Sequence, residues 1–199
     1  YGCMNKNSKF DAIIFDCFGV LTSGTTDLFC DKYFRDYPKK IEQVKDLSHK
    51  SDRGEIRYGE FVRRVADLAN ISETEANLIF LGGIKNQPLF DFIKNTLRPV
   101  GYKIGLLSNI GSDRLTQVLS ESDLRLFDAT TLSYALGIAK PDAKIYKIAA
   151  QRLGVSPEKC VFIDDSRNNV LGAEHVGMTG VLYENFSKFQ LQLSEILGE

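Results

Sequence analysis

Four polar stations punctuate the chain. Asp16 follows the apolar run Ala12-Ile13-Ile14-Phe15 and precedes Cys17-Phe18-Gly19-Val20-Leu21. Ser108-Asn109 closes a second strand-like run, Lys140-Pro141 stands before an amphipathic stretch, and Asp164-Asp165 follows Val161-Phe162-Ile163. A carboxylate held where a buried strand meets a turn is a candidate nucleophile. Open parallel sheets bind ligands outside the carboxyl ends of their strands, so all four stations can converge on one charged site.

Each station also has a plainer reading. An Asp after a strand is a common turn or cap residue. Ser108-Asn109 would serve to cap the helix carrying Leu115, Val118 and Leu119, and Asp142 would cap another while Lys140 faces solvent. Their order along the chain favours the site. Adjacent carboxylates such as Asp164 and Asp165 repel unless a cation or hydrogen-bond donors compensate, and a metal meets that need.

The elements that must position these groups read as α/β. Lys103 to Leu107 and Lys159 to Ile163 are short apolar runs of the kind found in buried parallel strands. Between them, Asp142 to Leu153 places Ile145, Ile148, Ala149 and Leu153 on one helical face, opens beside Pro141 and stops at Gly154. Ala173 to Gly177 ends a further helix before the strand-like Thr179-Gly180-Val181-Leu182-Tyr183. The expected fold is a doubly wound parallel sheet. From about Thr22 to Pro88 strand signals give way to helical ones: Phe61, Val62, Val65, Leu68 and Ala69 form a stripe, and Ser72-Glu73-Thr74-Glu75 reads as a capping box. The expected division is a core of 9–21 and 88–199 with a helical insertion of 22–87, hinged at Leu21 to Gly24 and Lys85 to Pro88. Internal repeats and low-complexity segments are absent.

With 199 residues, 43% of them hydrophobic, the chain can bury a sizeable core, as one domain with an insertion or as two small domains. A formal net charge of −1 leaves no footprint for nucleic acid, and Lys39-Lys40 and Arg63-Arg64 read as solvated helix faces. Cys3, Cys17, Cys30 and Cys160 form no CxxC pair, which argues against zinc; Cys17 and Cys160 read as small core residues. No apolar stretch approaches the ~20 residues that span a membrane, and no signal-like segment opens the chain, so a cytoplasmic location is expected. Tyr1-Gly2-Cys3 before Met4, native or remnant, is set aside. His175 reads as a helix-end residue, whereas His49, with Arg53, Arg57 and Tyr58 in the insertion, has two readings, one facing the cleft and one as an exposed polar helix residue.

Taken in order, Phe15 to Leu21, Leu107-Ser108-Asn109, Lys140-Pro141-Asp142 and Phe162 to Asn169 resemble the haloacid dehalogenase superfamily over nearly the whole chain. The resemblance implies an aspartate nucleophile on a doubly wound, Rossmann-like core and a small helical cap that closes over it and chooses substrate. Arg53-Gly54-Glu55-Ile56 resembles a cap segment of the sugar-phosphatase-like branch, and Asp164-Asp165 with Asn169 the acidic motif of Mg-dependent phosphatases and epoxide-hydrolase amino-terminal domains. Carried over, Asp16 is the nucleophile, and Lys140 stabilises it and the transferred charge. Ser108 and the backbone near Asn109 bind phosphate oxygens. Mg²⁺ is held by Asp16, Asp165, Asp164 and the main-chain carbonyl of Phe18, with Asn169 in support. The implied partner is a small phosphorylated substrate, turned over by a monomer or homodimer.

One position departs from the family. Its phosphatases carry a second Asp two residues after the nucleophile, which protonates the leaving oxygen and then activates water. Phe18 stands there and does neither. Losing such a group costs about 10²–10⁴ in rate. Three readings follow: a Mg²⁺-dependent phosphatase with a substitute acid, a metal-independent 2-haloacid dehalogenase-like hydrolase, to which Phe18-Gly19 is similar, or a catalytically weak phospho-ligand-binding protein.

Overall fold

The computed structural model describes residues 8–111 and 114–198; Tyr1-Gly2-Cys3 lies outside them. Five parallel strands, β1 (Ala12–Phe15), β2 (Lys103–Ser108), β3 (Ala129–Leu132), β4 (Cys160–Asp164) and β5 (Thr179–Leu182), form one sheet in the order β3-β2-β1-β4-β5. Successive connections step from β1 to β2 to β3, then cross back to β4 on the other side of β1. That reversal between β1 and β4 is where doubly wound sheets open a ligand crevice at their carboxyl ends.

Both faces of the sheet are covered, which explains why its strands are apolar throughout rather than alternating with polar residues. Ile13, Phe15, Ile104, Leu106, Val161 and Ile163 pack on one face with Leu89, Ile93 and Phe189; Ala12, Ile14, Leu107, Cys160 and Phe162 pack on the other with Ile145, Ala149 and Leu153. On the first face lie α5 (Gln87–Phe92), which runs through a π-helical turn at Ile93–Leu97 into α6 (Arg98–Val100), and α12 (Phe186–Leu197). Three short helices, α7 (Leu115–Val118), α8 (Glu121–Leu124) and α9 (Ser133–Leu136), flank β3 in sequence. On the second face lie α10 (Ala143–Leu153) and α11 (Arg167–Glu174). Asp142 caps α10 by accepting a hydrogen bond from the Lys144 N–H at 2.8 Å, and Gly154 ends it in a left-handed conformation.

Between β1 and α5 stand four more helices, α1 (Thr25–Phe34), α2 (Pro38–Asp52), α3 (Tyr58–Ala69) and α4 (Glu73–Leu81). They enclose their own apolar cluster, with Phe29, Phe34, Val44, Phe61, Val65 and Phe80 buried in it. The two crossings to the sheet are tied to each other: the Ser23 N–H donates to the Ile84 carbonyl and the Asn86 N–H to the Leu21 carbonyl, each at 2.9 Å.

Three details differ from the sequence reading. Ser72 caps α4 through the Glu75 N–H at 3.1 Å, but the reciprocal half of the box is missing because the Glu75 carboxylate accepts from the Tyr33 hydroxyl at 2.6 Å instead. The complete box is at Ser120 and Asp123. Strand β3 escaped notice because it is a sheet edge of sequence Ala-Thr-Thr-Leu, with only Thr131 buried.

Candidate active site

Parallel pairing puts the last residues of β1 and β4 side by side, with Phe15 opposite Ile163, so Asp16 and Asp164 leave the sheet together. Lys140 enters from the loop before α10 and bridges them: its ammonium lies 2.7 Å from Asp16 Oδ1 and 2.6 Å from Asp164 Oδ2. All three side chains are buried, with Asp164 fully so and Lys140 5% exposed as a residue. The lysine therefore does not face solvent. Breaking such a buried charged network by removing one member costs about 3–5 kcal/mol, because the remaining charges keep their desolvation penalty.

The rest of the wall fixes these groups in turn. Asp16 Oδ1 also accepts the Cys17 N–H at 2.7 Å. Asp164 Oδ1 accepts from the Ser166 N–H at 2.8 Å and from Asn169 Nδ2 at 3.0 Å, with Asn169 reaching Oδ2 at 3.2 Å. Asn169 thus orients the carboxylate. The Asn109 side chain grips the Lys140 peptide from both sides, Oδ1 accepting from its N–H at 2.8 Å and Nδ2 donating to its carbonyl at 3.0 Å. Neither Ser108 nor Asn109 caps α7, which starts at Leu115 with Arg114 at its N-cap.

One carboxylate oxygen from each of Asp16, Asp164 and Asp165 lies within 4.8 Å of the others. Oxygen-only ligands at this spacing suit a hard divalent cation such as Mg²⁺. Two features show the fit. Burial pushes the Asp16 carboxyl up to about 8 against the pull of Lys140, and Asp164 and Asp165 add to the rise: one lysine is too little positive charge for three acids. Enough protein surrounds exposed Asp165 for desolvation, helped by Asp164, to raise it to about 6. A Cβ on Gly19, whose φ is +93°, would meet the Asp165 carboxylate at 2.0 Å, so the loop after Asp16 leaves room for that acid only as glycine.

Asp16, Phe18, Asn109, Lys140, Asp165 and Asn169 line a single cavity of about 210 Å³. Ser108, fully buried, and Asp164 stand behind that wall. The opposite wall comes from the helical insert, chiefly Ser51 and Asp52 at the end of α2 and Tyr58 at the start of α3. His49, exposed on α2, turns away from the cavity, as do Arg53 and Arg57; the 3.6-residue period that aims Ser48, Ser51 and Asp52 inward carries His49 round the helix. His175 is likewise exposed, at the end of α11. Several cavity groups were not foreseen, Arg114 and Asp52 among them. Arg114 is 7% exposed, with its guanidinium 4.4 Å from the Tyr58 ring centre and 5.3 Å from that of Phe18. Asp52 is half-buried, and desolvation raises its carboxyl to about 7 against the pull of Arg114, Lys140 and Arg53. An acid at the carbonyl end of a helix, against the dipole, was the available sequence signal.

Among known proteins, the sesquiterpene phosphatase astK of Aspergillus oryzae is 22% identical over 195 residues, 96% of this chain and 98% of that protein. (S)-2-haloacid dehalogenase 4A of Burkholderia cepacia is 35% identical over 86 residues, 43% of this chain and 37% of the dehalogenase. The chain spans just 18% and 40% of the length of two further curated relatives. A haloacid-dehalogenase-family enzyme of Bacteroides thetaiotaomicron, crystallised with magnesium and inorganic phosphate, superposes with a TM-score of 0.68 at 23% identity, over 90% of this chain and 98% of that one. The family model for haloacid dehalogenase-like hydrolases matches residues 10–177, and the chain belongs to that family.

Proposed function

We propose that the chain is a Mg²⁺-dependent phosphatase of small phosphate monoesters that works through a phosphorylated Asp16. The observation that carries this reading is the cluster of Asp16, Asp164 and Asp165 around one bridging lysine. A dehalogenase attacking carbon has no need of so much negative charge, whereas a phosphatase uses it to bind the cation that its dianionic substrate requires.

Asp16 attacks phosphorus in line. Its Oδ1 carries both Lys140 and the Cys17 N–H, so Oδ2 is the freer oxygen. Asp16, Asp165 and the Phe18 carbonyl, with Asp164 behind, would hold Mg²⁺, which would neutralise the charge of phosphate and carboxylates. Lys140 aims the nucleophile and pulls it toward its ionised form, and the cation would supply the positive charge that one lysine leaves short. The backbone near Asn109, supported from behind by Ser108, and the Arg114 guanidinium receive non-bridging oxygens. Water then attacks the phosphoryl group and restores Asp16. The insert, 22–87, acts as a cap over the core of 9–21 and 88–199. The Bacteroides enzyme's complex with magnesium and phosphate supports the ligand class.

Replacing Asp165 by Asn is expected to weaken Mg²⁺ binding by about tenfold or more and to lower turnover with it. Isothermal calorimetry with Mg²⁺ alone checks the first half, and an unchanged affinity sinks the assignment. Phe18 followed by Gly19 favours a second reading, carbon–halogen hydrolysis. It stands if the chain releases halide from a 2-haloacid in EDTA and hydrolyses no phosphate ester with Mg²⁺.

A further inference from the structure

Phe18 leaves the phosphatase reading without a proton donor, and the cavity itself narrows the search for one. Its lining includes no histidine. Burial drives the Tyr58 hydroxyl above its usual range and the Cys17 thiol to about 12, both too high to trade protons near neutrality. Among the described residues four carboxylates remain: Asp16, Asp165, Asp27 and Asp52. Asp16 and Asp165 belong to the nucleophile and the cation. The Asp27 side chain, 76% exposed on the first turn of α1, pairs with Lys45 at 3.1 Å.

We propose that Asp52 is the general acid and base of this enzyme, supplied across the cavity from the insert in place of the acid missing at position 18. This rests on the phosphatase reading. Three observations support it. The Asp52 carboxylate makes no hydrogen bond or ion pair among the described residues, although it lines the cavity at the carbonyl end of α2 where the helix dipole opposes an anion. Its backbone is nonetheless fixed against the core: the Ser133 hydroxyl donates to the Asp52 carbonyl, and Gly111 lies so close to Ser51 that a Cβ there would stand 1.9 Å from the Ser51 oxygen. Asp16 and Asp52 line one cavity of about 210 Å³, below the usual ligand range of roughly 300–1,000 Å³, so a phosphoryl group on Asp16 shares a small space with Asp52.

In the first half-reaction Asp16 forms its bond to phosphorus, the bond to the ester oxygen breaks, and that oxygen takes the Asp52 proton. In the second, water bonds to phosphorus and gives a proton back to Asp52 as the bond to Asp16 breaks. The sum is ester plus water to alcohol plus phosphate. The protonated form needed first is favoured by the carboxyl's rise to about 7, set by desolvation against Arg114, Lys140 and Arg53; among the described residues Tyr58 on α3, Asp27 on α1, and Asp16 and Asp165 are the other titratable groups around the cavity, and Tyr134 on α9 packs its backbone by Gly54.

Asp52→Asn and Asp52→Glu in the full chain, with Mg²⁺, test this against aryl and alkyl phosphates once circular dichroism shows both variants folded. The Asn variant is expected to lose about 10²–10⁴-fold in kcat/KM on alkyl phosphates and much less on aryl phosphates, whose leaving oxygens need little protonation. Aryl phosphates should give a burst followed by slow turnover, because water attack on the phosphorylated enzyme lacks its base. The fall of alkyl-phosphate kcat/KM as pH rises through about 7 should disappear, and the Glu variant should regain part of the loss. A purely structural role moves neither the leaving-group dependence nor the pH limb. If the parent hydrolyses phosphate esters and the Asn variant matches it on both leaving groups with the same pH profile, Asp52 is overturned and the phosphatase stands. If the parent hydrolyses none, the phosphatase reading falls and this inference falls with it.

Discussion

The two walls of the cavity are built on opposite principles. On the sheet side Asp16, Lys140, Asp164, Asn109 and Asn169 are held by hydrogen bonds and ion pairs of 2.6–3.2 Å, which fix the direction of each of these side chains and leave Asp16 Oδ2 facing the ligand. On the insert side Asp52 carries an unpartnered carboxylate, and Ser51 Oγ, like Arg114 Nε across from it, is buried with no hydrogen bond among the described residues. Buried polar groups are nearly always satisfied, so such exceptions call for an explanation. A cavity whose one wall is finished and whose other wall waits for partners is arranged for a ligand that completes it.

The largest test falls on the finished wall. Asp16→Asn keeps nearly the same shape and can still accept from Lys140, but an amide is a poor nucleophile. Turnover of phosphate esters is expected to fall by about 10⁴-fold or more, with the fold retained. Crystallography after beryllium fluoride treatment gives a direct view: the parent should carry the adduct on Asp16. An adduct on another side chain would break the assignment.

The same contrast separates what could be read in the sequence from what could not. Asp16, Lys140, Asp164 and Asp165 were legible because strand ends and a helix start locate them, and parallel pairing then brings residues more than 120 positions apart to one edge. Asn109 was legible as a site residue but not as the clamp on the Lys140 peptide, since a hydrogen bond across 31 positions leaves no periodic trace. The insert side was harder. Asp52 sits in Lys50-Ser51-Asp52-Arg53, a charged run like many solvated helix ends, and only the packing of α2 against Gly111 and Ser133 turns it inward. Helical period separates His49 from Ser48, Ser51 and Asp52, yet no residue pattern specified which face of α2 the core would meet.

A second test moves the acid from one wall to the other. Phe18 is half-buried beneath the Arg114 guanidinium, so Phe18→Asp places a carboxylate where the family's phosphatases carry theirs. In an Asp52→Asn background this change should restore alkyl-phosphate turnover, by up to about 10²–10⁴-fold where the new carboxylate reaches the leaving oxygen. It also removes packing and adds a charge beside Asp16, at about 1–3 kcal/mol of stability. Thermal unfolding has to precede the kinetics. A folded double variant no faster than Asp52→Asn shows that the sheet side cannot supply the proton.

The smallest effect is thermodynamic, and it asks what an unpartnered acid costs the fold. In the unfolded chain Asp52 ionises near its ordinary 3.8, whereas in the folded protein it holds its proton to about 7. Between those values the folded state binds more protons, so this residue's contribution makes stability fall as pH rises through the window and then level off. Three pKa units set a ceiling of about 4 kcal/mol, and the residue's remaining exposure reduces it to about 1–3 kcal/mol. Asp52→Asn removes the contribution. Without metal, urea unfolding should find the variant more stable than the parent above pH 7, with the difference shrinking toward pH 4. A protein that forgoes this stability at neutral pH keeps the acid for its chemistry, as functional sites commonly do. A difference that stays flat across the window would place Asp52 in contact with water or a donor and return the insert side to an ordinary solvated surface.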